Sequence, residues 1–370
     1  MKLCLIYNFA QHYRTNIFKL ISEEFDCDFV FGDSMGDVKK MDYSLLRGKV
    51  TETHTLRIKG WYWQPKVISQ LFNKYDSYIL LGETRSVSAW MFCLLQRILF
   101  PKKKVYFWTH GWYGKESRLE ALIKKVFLRL PNGGLFLYGN YARNLMIKEG
   151  FKSDKLYVIY NSLAYDKQIE LRSLIGRNDI YREHFKNTYP NIFFVGRLTA
   201  IKRIDQLIMA LHTLKQQGKE YNLTIIGDGE MREKLGGMVT TLCMKDNVWF
   251  YGSCYDEREL GTMIYNADLC VSPGNVGLTA IHSMTFGTPV VTHDKFPCQM
   301  PEFEAIKEGK TGRFFRCGDV NSIACCIEGW LTKHTDSREE IRLACYSEID
   351  RNWNPYVQLE LLKKVLTPNE

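Results

Sequence analysis

The chain has 370 residues, which at about 150 residues per domain favours two domains. Its composition is 45% hydrophobic, 14% aromatic and 25% charged, which supplies enough apolar surface for a core and excludes wholesale disorder. A count of 50 Lys and Arg against 41 Asp and Glu gives a net charge of +9, so nucleotides, nucleic acid and anionic lipid are all candidate partners.

The 11 cysteines are scattered without a C-x-x-C spacing, and the apolar run at the N-terminus is too short for a signal peptide. We therefore expect a reducing, cytoplasmic environment in which the cysteines are packing residues. The longest apolar stretch, Val87 to Phe100, is interrupted by Gln96 and Arg97 and falls short of the roughly 18 residues that span a bilayer. We expect no membrane-spanning helix.

Short apolar runs alternate with segments of helical period, which is typical of parallel sheets built from βαβ units. The predicted strands of a first sheet are Lys2–Tyr7, Cys27–Phe31, Tyr78–Leu81, Lys104–Trp108, Leu135–Tyr138 and Leu156–Ile159. The predicted strands of a second sheet are Asn191–Val195, Asn222–Ile226, Val248–Tyr251, Leu269–Ser272 and Pro289–Thr292.

The two sets of strands predict an α/β fold of two Rossmann-like, doubly wound domains. We expect the first domain over residues 1–165, the second over residues 166–350, and a C-terminal helix over residues 351–370 that packs back on the first domain. Two such domains are expected to face each other across a cleft, with ligands at the carboxyl ends of the strands. The chemistry should therefore lie in loops that follow strands.

Two cations follow the predicted strand that ends at Val195. Gly196-Arg197 closes this strand, and Lys202 precedes an amphipathic helix. An arginine and a lysine at such a turn can together neutralise a diphosphate. On spacing alone, a glycine turn with two solvated cations is the more common structure.

A glycine-rich loop, SPGNVGLT at residues 272–279, follows the strand LCVS and leads into a helix that should end at Gly287. Free amides at Gly277, Leu278 and Thr279 would point at a phosphate, and the helix dipole would strengthen the attraction. The order of strand, glycine loop, helix, Gly-x-Pro and strand favours a phosphate site over a bare structural turn.

The segments FFVGRLTAIKRIDQLIMAL, LTIIGDGEMREKL, VWFYGS and ADLCVSPGNVGLTAIHSMTFGTPVV lie between Asn191 and Phe314. In this order they resemble the C-terminal half of the retaining glycosyltransferases of family 4, which belong to the glycosyl transferases group 1. The resemblance implies a GT-B fold, a donor that is a nucleoside diphosphate sugar of UDP or GDP type, no metal or other cofactor, and retention of anomeric configuration.

The resemblance also implies roles for single residues. The positions that match the family's donor site are Gly196, Arg197, Lys202, Gly252, Ser253, Asn275, Val276, Gly277, Leu278 and Thr279. Within this set, Arg197 and Lys202 match the pair that holds the diphosphate. In the first domain, WTHG at residues 108–111 resembles the strand end whose histidine reaches the donor sugar. The expected catalytic residues are therefore His110, Arg197 and Lys202.

The family pattern places two glutamates eight positions apart around this loop. This sequence departs from the pattern, since it has Gly274 and His282 at those positions. His282 can bond a ribose hydroxyl and is therefore expected in the donor site. Loss of the first carboxylate removes a sugar contact. Glu302 or Glu304, in a loop that resembles the family's proline-glutamate loop, is a candidate to replace it, and a solvated acidic loop fits them equally well.

Two surfaces of the first domain are candidates for the acceptor side. His12 and Arg14 follow the first strand where the family has a glycine pair, and they either bind the acceptor or belong to a surface loop. The apolar residues of Ser117–Leu130 recur at helical spacing, which is typical of a helix packed on its sheet. With Lys124 and Lys125 off this stripe, peripheral docking on the anionic inner face of the membrane is the second interpretation.

These features together predict a cytoplasmic glycosyltransferase that moves a sugar from a nucleoside diphosphate sugar to a glycan or lipid-linked acceptor. We expect it to act in surface polysaccharide synthesis and to have no nucleic-acid partner. A GT-B nucleotide-sugar 2-epimerase is one alternative, although it would need several carboxylates and histidines that are not evident in the first domain. A catalytically degenerate sugar-nucleotide binding subunit is the other, and the missing glutamate favours it.

Overall fold

The computed structural model describes residues 1–34, 36 and 38–367. They form two compact units. The first unit consists of Met1–Ala164 and the C-terminal segment from Asn354 onward, and the second unit is Tyr165–Trp353.

The first unit is built on a parallel sheet. Its strands and those of one small hairpin are β1 (Lys2–Tyr7), β2 (Asp26–Gly32), β3 (Val50–Thr53), β4 (Leu56–Ile58), β5 (Trp61–Trp63), β6 (Ser77–Leu81), β7 (Lys104–Thr109), β8 (Gly134–Leu137) and β9 (Leu156–Val158). Seven of them pair in parallel in the order β3-β2-β1-β6-β7-β8-β9, while β4 and β5 form the antiparallel hairpin. The strand order reverses between β1 and β6, which is where doubly wound sheets bind ligands.

The second unit repeats this plan. Its strands are β10 (Asn191–Val195), β11 (Asn222–Ile226), β12 (Val248–Gly252), β13 (Leu269–Ser272), β14 (Val290–His293) and β15 (Gly312–Phe315). They pair in parallel in the order β12-β11-β10-β13-β14-β15. The order reverses between β10 and β13, so the loops after these two strands share one edge of the sheet.

The helices connect successive strands. They are α1 (Thr15–Glu24), α2 (Pro65–Ser69), α3 (Val87–Leu99), α4 (Arg118–Leu128), α5 (Asn140–Lys148), α6 (Tyr165–Leu174), α7 (Ile180–Phe185), α8 (Ile204–Gln216), α9 (Arg232–Thr241), α10 (Glu257–Asn266), α11 (Leu278–Thr285), α12 (Val320–Lys333), α13 (Arg338–Asn352) and α14 (Pro355–Leu366). Among the described residues each helix is too short or too polar to span a bilayer.

Both faces of the first sheet are buried, as expected when helices cover a parallel sheet. Along β1, Leu3, Leu5 and Tyr7 belong to one core cluster, whereas Cys4 and Ile6 belong to the cluster on the other face. The C-terminal helix α14 completes the first of these clusters with three leucines, which are Leu359, Leu362 and Leu366. None of the 11 cysteines is in a disulfide, and six of them are buried.

The structure confirms the predicted fold class of two Rossmann-like α/β domains. Every predicted strand has a counterpart, but β3, β4, β5 and β15 are absent from the sequence prediction. The sequence did contain a signal for the hairpin, because the two-residue turn Lys59-Gly60 includes a glycine, which readily adopts a positive φ. In the structure φ is 47° at Lys59 and 84° at Gly60, as such a turn requires. Strands β3 and β15 are four residues long and lie at the sheet edges, where short strands carry little hydrophobic pattern.

Candidate functional site

The two predicted donor-site segments of the second unit meet at the point where its strand order reverses. The Nζ atom of Lys202, after β10, donates a 2.8 Å hydrogen bond to the main-chain oxygen of Asn275, after β13. In return the amide of Gly274 donates to the main-chain oxygen of Lys202 over 3.0 Å. Segments more than 70 residues apart in sequence therefore form one surface because their strands are neighbours.

Gly274, which the sequence resemblance matches to the family's first glutamate, lies in close contact with neighbouring backbone. A Cβ atom at this position would overlap the carbonyl oxygen of Ile201 and would lie 2.7 Å from Cα of Lys202. The loop after β13 is thus packed against the turn after β10, and a side chain at 274 has no space. In this arrangement of the two loops, a carboxylate at position 274 would not fit.

The turn after β10 is held by close contact with the turn after β11. Gly227 has a φ of 137°, and a Cβ atom there would overlap the carbonyl oxygen of Gly196. The amide of Leu198 donates to the main-chain oxygen of Asp228 over 2.9 Å. This framework leaves Arg197 exposed, without an ion-pair partner among the described residues.

The helix α11 begins with unengaged amides. The N–H groups of Gly277, Leu278 and Thr279 find no acceptor among the residues that the structure describes. The Thr279 hydroxyl donates to the main-chain oxygen of Val195 over 3.2 Å and so ties the helix start to β10. Three donors and the positive end of a helix dipole therefore lie beside the Lys202 turn, which is the arrangement that binds phosphate.

The adjacent residues hold this loop in place. The side chain of Val276 is fully buried, and its amide donates to Oε1 of Gln299 over 2.7 Å. Val276 therefore fixes the loop, and its amide is engaged within the protein. Asn275 is half-buried, and its Oδ1 atom has no hydrogen-bond partner among the described residues.

Glu302 lies under the same loop. It is only 2% exposed, so the interpretation as a solvated acidic residue is wrong for it, whereas Glu304 is half-buried. Its Oε2 atom lies 3.9 Å from the place of a Cβ atom on Gly277. Burial lowers the pKa of Lys202, and the negative charge of Glu302 acts in the opposite direction. A carboxylate thus stands by the loop although position 274 has none.

His282 is one turn into α11 and is hydrogen-bonded to a carboxylate that the sequence analysis did not single out. Its Nε2 atom lies 2.8 Å from Oε1 of Glu257, at the start of α10, and the same oxygen accepts from Gln168 over 2.8 Å. Burial raises the pKa of Glu257. The hydrogen bond from His282, the positive charge of His282 and the hydrogen bond from Gln168 outweigh burial and lower this pKa to about 2. The pair therefore includes a carboxylate at neutral pH.

The turn after β12 contributes main chain. Gly252 has a φ of 90° with nothing near the position of its missing Cβ, and its carbonyl oxygen accepts from the amide of Gly227 over 2.7 Å. Ser253 is exposed. All ten predicted main-chain and cationic positions of the donor site therefore lie at the carboxyl edge of one sheet.

In the first unit, a cavity of about 320 Å³ lies at the carboxyl ends of β1, β6, β7 and β8. Its walls include Arg14, His110, Lys124, Tyr7 and Tyr138. His12 is exposed, with Nδ1 3.2 Å from the carbonyl oxygen of Lys39, and is not among the residues that line the cavity. Of the two candidate acceptor residues, the structure brings only Arg14 to this space.

The WTHG motif is a tight turn at the end of β7. The hydroxyl of Thr109 donates to the carbonyl oxygen of Gly82 and accepts from the amide of Gly111, at 2.7 and 3.2 Å. Gly111 has a φ of 66°, and a Cβ atom there would lie 2.8 Å from the side chain of Leu137. The motif thus fixes the position of His110 at the cavity wall.

His110 is held in its neutral form. Burial, together with the positive charges of Arg14 and Lys124, lowers its pKa to about 4. Its ring centroid lies 4.7 Å from that of Tyr138, and its buried Nδ1 atom has no hydrogen-bond partner among the described residues. A neutral imidazole can donate or accept one hydrogen bond to a sugar hydroxyl.

Three residues of these sites were missed by the sequence analysis. Glu257 and Gln299 are polar residues distant in sequence from the loops that they support, so no local pattern marks them. Tyr138 carried a weak signal, as a polar-tipped aromatic residue at the end of a buried strand. The described residues contain no group of three or more His, Cys, Asp or Glu side chains arranged to hold a metal ion.

The chain is similar to known proteins in the sequence of its second unit and in its fold. The family model for "Glycosyl transferases group 1" matches residues 177–346, all of which lie in the second unit. An uncharacterized 41.2 kDa protein in the cps region of Klebsiella pneumoniae is 27% identical over 246 residues, 65% of this chain and 59% of that protein. An uncharacterized glycosyltransferase of Methanocaldococcus jannaschii is 32% identical over 150 residues, 37% of this chain and 36% of its own length.

The chain thus spans 59% and 36% of the lengths of these two relatives. Among solved structures, Anabaena Alr3699/HepE in complex with UDP superposes with a TM-score of 0.74 at 14% identity, over 100% of both chains. At this identity the likeness shows the fold. The protein therefore has a GT-B fold, and its second unit carries the sequence pattern of the glycosyl transferases group 1.

Proposed function

We propose that the protein is a metal-independent glycosyltransferase that moves a sugar from a nucleoside diphosphate sugar to an acceptor with retention of configuration. The observation that carries the proposal is the meeting of Lys202 with the loop before α11, which puts the exposed Arg197, Lys202 and three unengaged amides on one surface. This set of donors suits a diphosphate and little else in a sugar nucleotide.

In this proposal catalysis comes from stabilising charge on the leaving diphosphate. Arg197 and Lys202 neutralise the phosphates more strongly in the transition state than in the bound donor, because negative charge grows there as the glycosidic bond breaks. The amides of Gly277, Leu278 and Thr279 are already oriented and need no reorganisation. We assign His110 a hydrogen bond to the transferred sugar, as the resemblance implies.

For the ribose we propose His282. If Glu257 accepts the proton of Nε2, the Nδ1 atom of the imidazole is left as an acceptor for a ribose hydroxyl. The carboxylate that the family supplies from this helix is then replaced by an imidazole that a carboxylate from α10 orients. Glu302 is our candidate for the sugar contact that Gly274 lacks.

The relatives guide the choice of donor and process. The structural neighbour in complex with UDP makes UDP the first nucleotide to test, with GDP next. The relative from a cps region agrees with a role in surface polysaccharide synthesis. A thermal-shift screen over UDP, GDP, ADP and dTDP would identify the nucleotide, since a ligand at 100 times its Kd stabilises by about 2.7 kcal/mol.

The deciding experiment is to incubate the full chain with candidate sugar nucleotides and measure free nucleoside diphosphate. A transferase releases it slowly without acceptor and faster with one, and EDTA should leave the rate unchanged. A hydrolysing epimerase also yields free sugar of altered configuration. Binding of nucleotide without any release would identify the degenerate binding subunit, the alternative that Gly274 favours.

We also propose a peripheral contact with anionic membrane. On α4, Leu119, Leu122 and Val126 are 68%, 61% and 50% exposed, so the expectation that the whole stripe packs on its sheet holds only for residues such as Phe127. On α3, Met91, Leu94 and Ile98 are also exposed. An apolar surface of this kind beside a basic stretch suits the headgroup region of a bilayer.

The cations of this surface differ from those that the sequence suggested. Lys124 and Lys125 form ion pairs of 2.7 and 2.9 Å with Glu116 and Glu149, and are therefore engaged within the protein. Arg118 at the start of α4 is exposed, as are Lys102 and Lys104 before β7.

Sedimentation with vesicles tests this contact. The protein should bind anionic but not neutral vesicles, and binding should weaken as salt rises and when Leu119 and Leu122 are changed to Gln. Changing Lys124 and Lys125 to Gln serves as the matched control and should have little effect. Equal recovery in the supernatant with both vesicle types would exclude this surface as a membrane contact.

A further inference from the structure

The cavity of the first unit contains a buried cation without a carboxylate partner. Arg14 is 7% exposed, and its guanidinium lies over the rings of four aromatic residues at 5.3 to 5.8 Å. These residues are Tyr7, Tyr13, Trp108 and Tyr138. Its Nη2 atom donates to the hydroxyl of Tyr138 over 2.5 Å, while Nε and Nη1 have no partner among the described residues.

The four aromatic rings around Arg14 stabilise its positive charge only in part. Cation–π contacts attract the guanidinium to the ring faces, but they leave its N–H groups unsatisfied. Guanidinium remains charged in proteins, and a buried charge that lacks a counter-ion is strongly destabilising. Within the described residues no Asp or Glu oxygen lies within ion-pair distance of Arg14. Such a group is stable only where the rest of the fold compensates for it, or where a ligand completes it.

Arg14 is also among the residues that line the cavity. The other charged groups of the wall are already engaged, since Lys124 pairs with Glu116 and Glu83 accepts from the hydroxyl of Tyr62. His110 is neutral. The uncompensated charge that faces the cavity is therefore that of Arg14, and the volume of about 320 Å³ is at the small end of ligand sites.

We propose that the acceptor carries an anionic group, a carboxylate or a phosphate, which binds to Arg14 in this cavity. This inference rests on the proposed glycosyltransferase function and names the class of its acceptor. An oxyanion would accept from Nε or Nη1 and would neutralise the buried charge, whereas a neutral sugar could at most satisfy single N–H groups. A neutral acceptor would leave the buried guanidinium uncompensated, whereas an acidic acceptor would not. The site should therefore select acidic acceptors.

The test is equilibrium binding to the full chain by calorimetry, with four probes: glucuronate, glucose 6-phosphate, inorganic phosphate and glucose. We expect an acidic sugar to bind at least about tenfold more tightly than glucose. Tighter binding of glucuronate indicates a carboxylate. Tighter binding of glucose 6-phosphate or phosphate indicates a phosphoryl group if it is lost in Arg14→Gln, since the second unit also offers a phosphate site. Equal affinities, or no binding of any acidic probe, would overturn the inference.

Variants locate the binding at Arg14. Arg14→Gln should lose the preference for acidic probes, and Arg14→Lys should keep part of it because the charge remains. Arg57→Gln is the matched control, since Arg57 also lies over an aromatic ring, 5.6 Å from the centroid of Tyr62, but is exposed on the hairpin. Should Arg14→Gln fail to fold, Arg14→Lys decides, because a partial loss of the preference in this variant still locates the binding at Arg14 and an unchanged preference does not. An unchanged preference in a folded Arg14→Gln would refute the assignment.

The result is separable from the proposed function. Binding of nucleoside diphosphate, which depends on the second unit, and slow release from the sugar nucleotide are measured on the same preparation. If the donor is turned over but acidic and neutral probes bind equally, the acceptor inference fails and the glycosyltransferase stands. If no donor is bound or turned over, the proposed function fails.

Discussion

Both units contain a doubly wound parallel sheet with a candidate site where the strand order reverses. The two sites are nevertheless formed by different chemical groups. In the second unit the site consists of main-chain amides and two cations, and close glycine contacts shape it. In the first unit it is a cavity walled by aromatic rings around Arg14 and a neutral His110.

Under the proposed function, this difference corresponds to the two kinds of ligand. A diphosphate has the same geometry in every sugar nucleotide, so fixed main-chain donors at a helix start suit it. Acceptors vary in shape and charge, and side chains from several strands can adapt to them without disturbing the sheet. Mutations should therefore act separately on the two units, and the following predictions test that separation.

The largest effect is expected from removing both donor-site cations. The double substitution of Arg197 and Lys202 by Ala should lower kcat/KM on the order of a thousandfold, because charge-assisted contacts to the leaving group are lost. This corresponds to a loss of about 4 kcal/mol of transition-state stabilisation. Steady-state kinetics checks this. Lys215→Ala is the control, since Lys215 lies on α8 and bonds Asn247 instead of the loop. If the double variant kept its acceptor affinity, the separation of the sites would hold; normal kcat/KM would refute the diphosphate assignment.

The next effect concerns the stability of the first unit against acid. The pKa of His110 is lowered to about 4, so between its ordinary pKa of 6.5 and pH 4 the unfolded chain binds a proton that the native state does not. The free energy of unfolding should therefore fall as the pH falls through this range, by up to about 3 kcal/mol. Chemical denaturation at several pH values should show a shallower slope for His110→Asn. Equal slopes for the native chain and His110→Asn would contradict the buried, neutral histidine.

A smaller effect follows from restoring the family's glutamate. Gly274→Glu should destabilise the second unit by at least about 2 kcal/mol and weaken nucleotide binding, because its Cβ atom would overlap the Ile201 carbonyl. Thermal unfolding with and without nucleotide measures both changes. Gly176→Glu is the control, since an added Cβ atom there meets nothing within 4 Å. A gain of activity in Gly274→Glu would mean that the loop opens readily and that close packing does not explain the glycine.

The smallest effect is expected at the ribose. His282→Ala should raise KM for the donor about tenfold with little change in kcat, as for a contact that is equal in the ground and transition states. Glu257→Gln should raise KM less, because it only orients the imidazole. His334→Ala is a control in the same unit, where the ring bonds Ser337. A fall in kcat with unchanged KM would place His282 in the chemical step instead.

Much of the fold was predictable because its signals are local. Apolar runs marked all but four short strands, and the period of Ile204, Leu207, Ile208, Leu211 and Leu214 marked α8. The loop before α11 was predictable for the same reason, since glycines, a helix start and a following strand lie within about 20 consecutive residues. The sequence by itself thus determined the α/β class and the position of the glycine-rich loop before α11.

Tertiary structure alone decided how the site residues are paired. The bond from Lys202 to Asn275, the contact that excludes a side chain at Gly274 and the carboxylate beside His282 all join residues distant in sequence. The same is true of Arg14, which meets Tyr138 because β1 and β8 end at the same edge of one sheet. Hydrogen bonds and burial depend on which strands are neighbours, and a pattern along the chain does not contain that information.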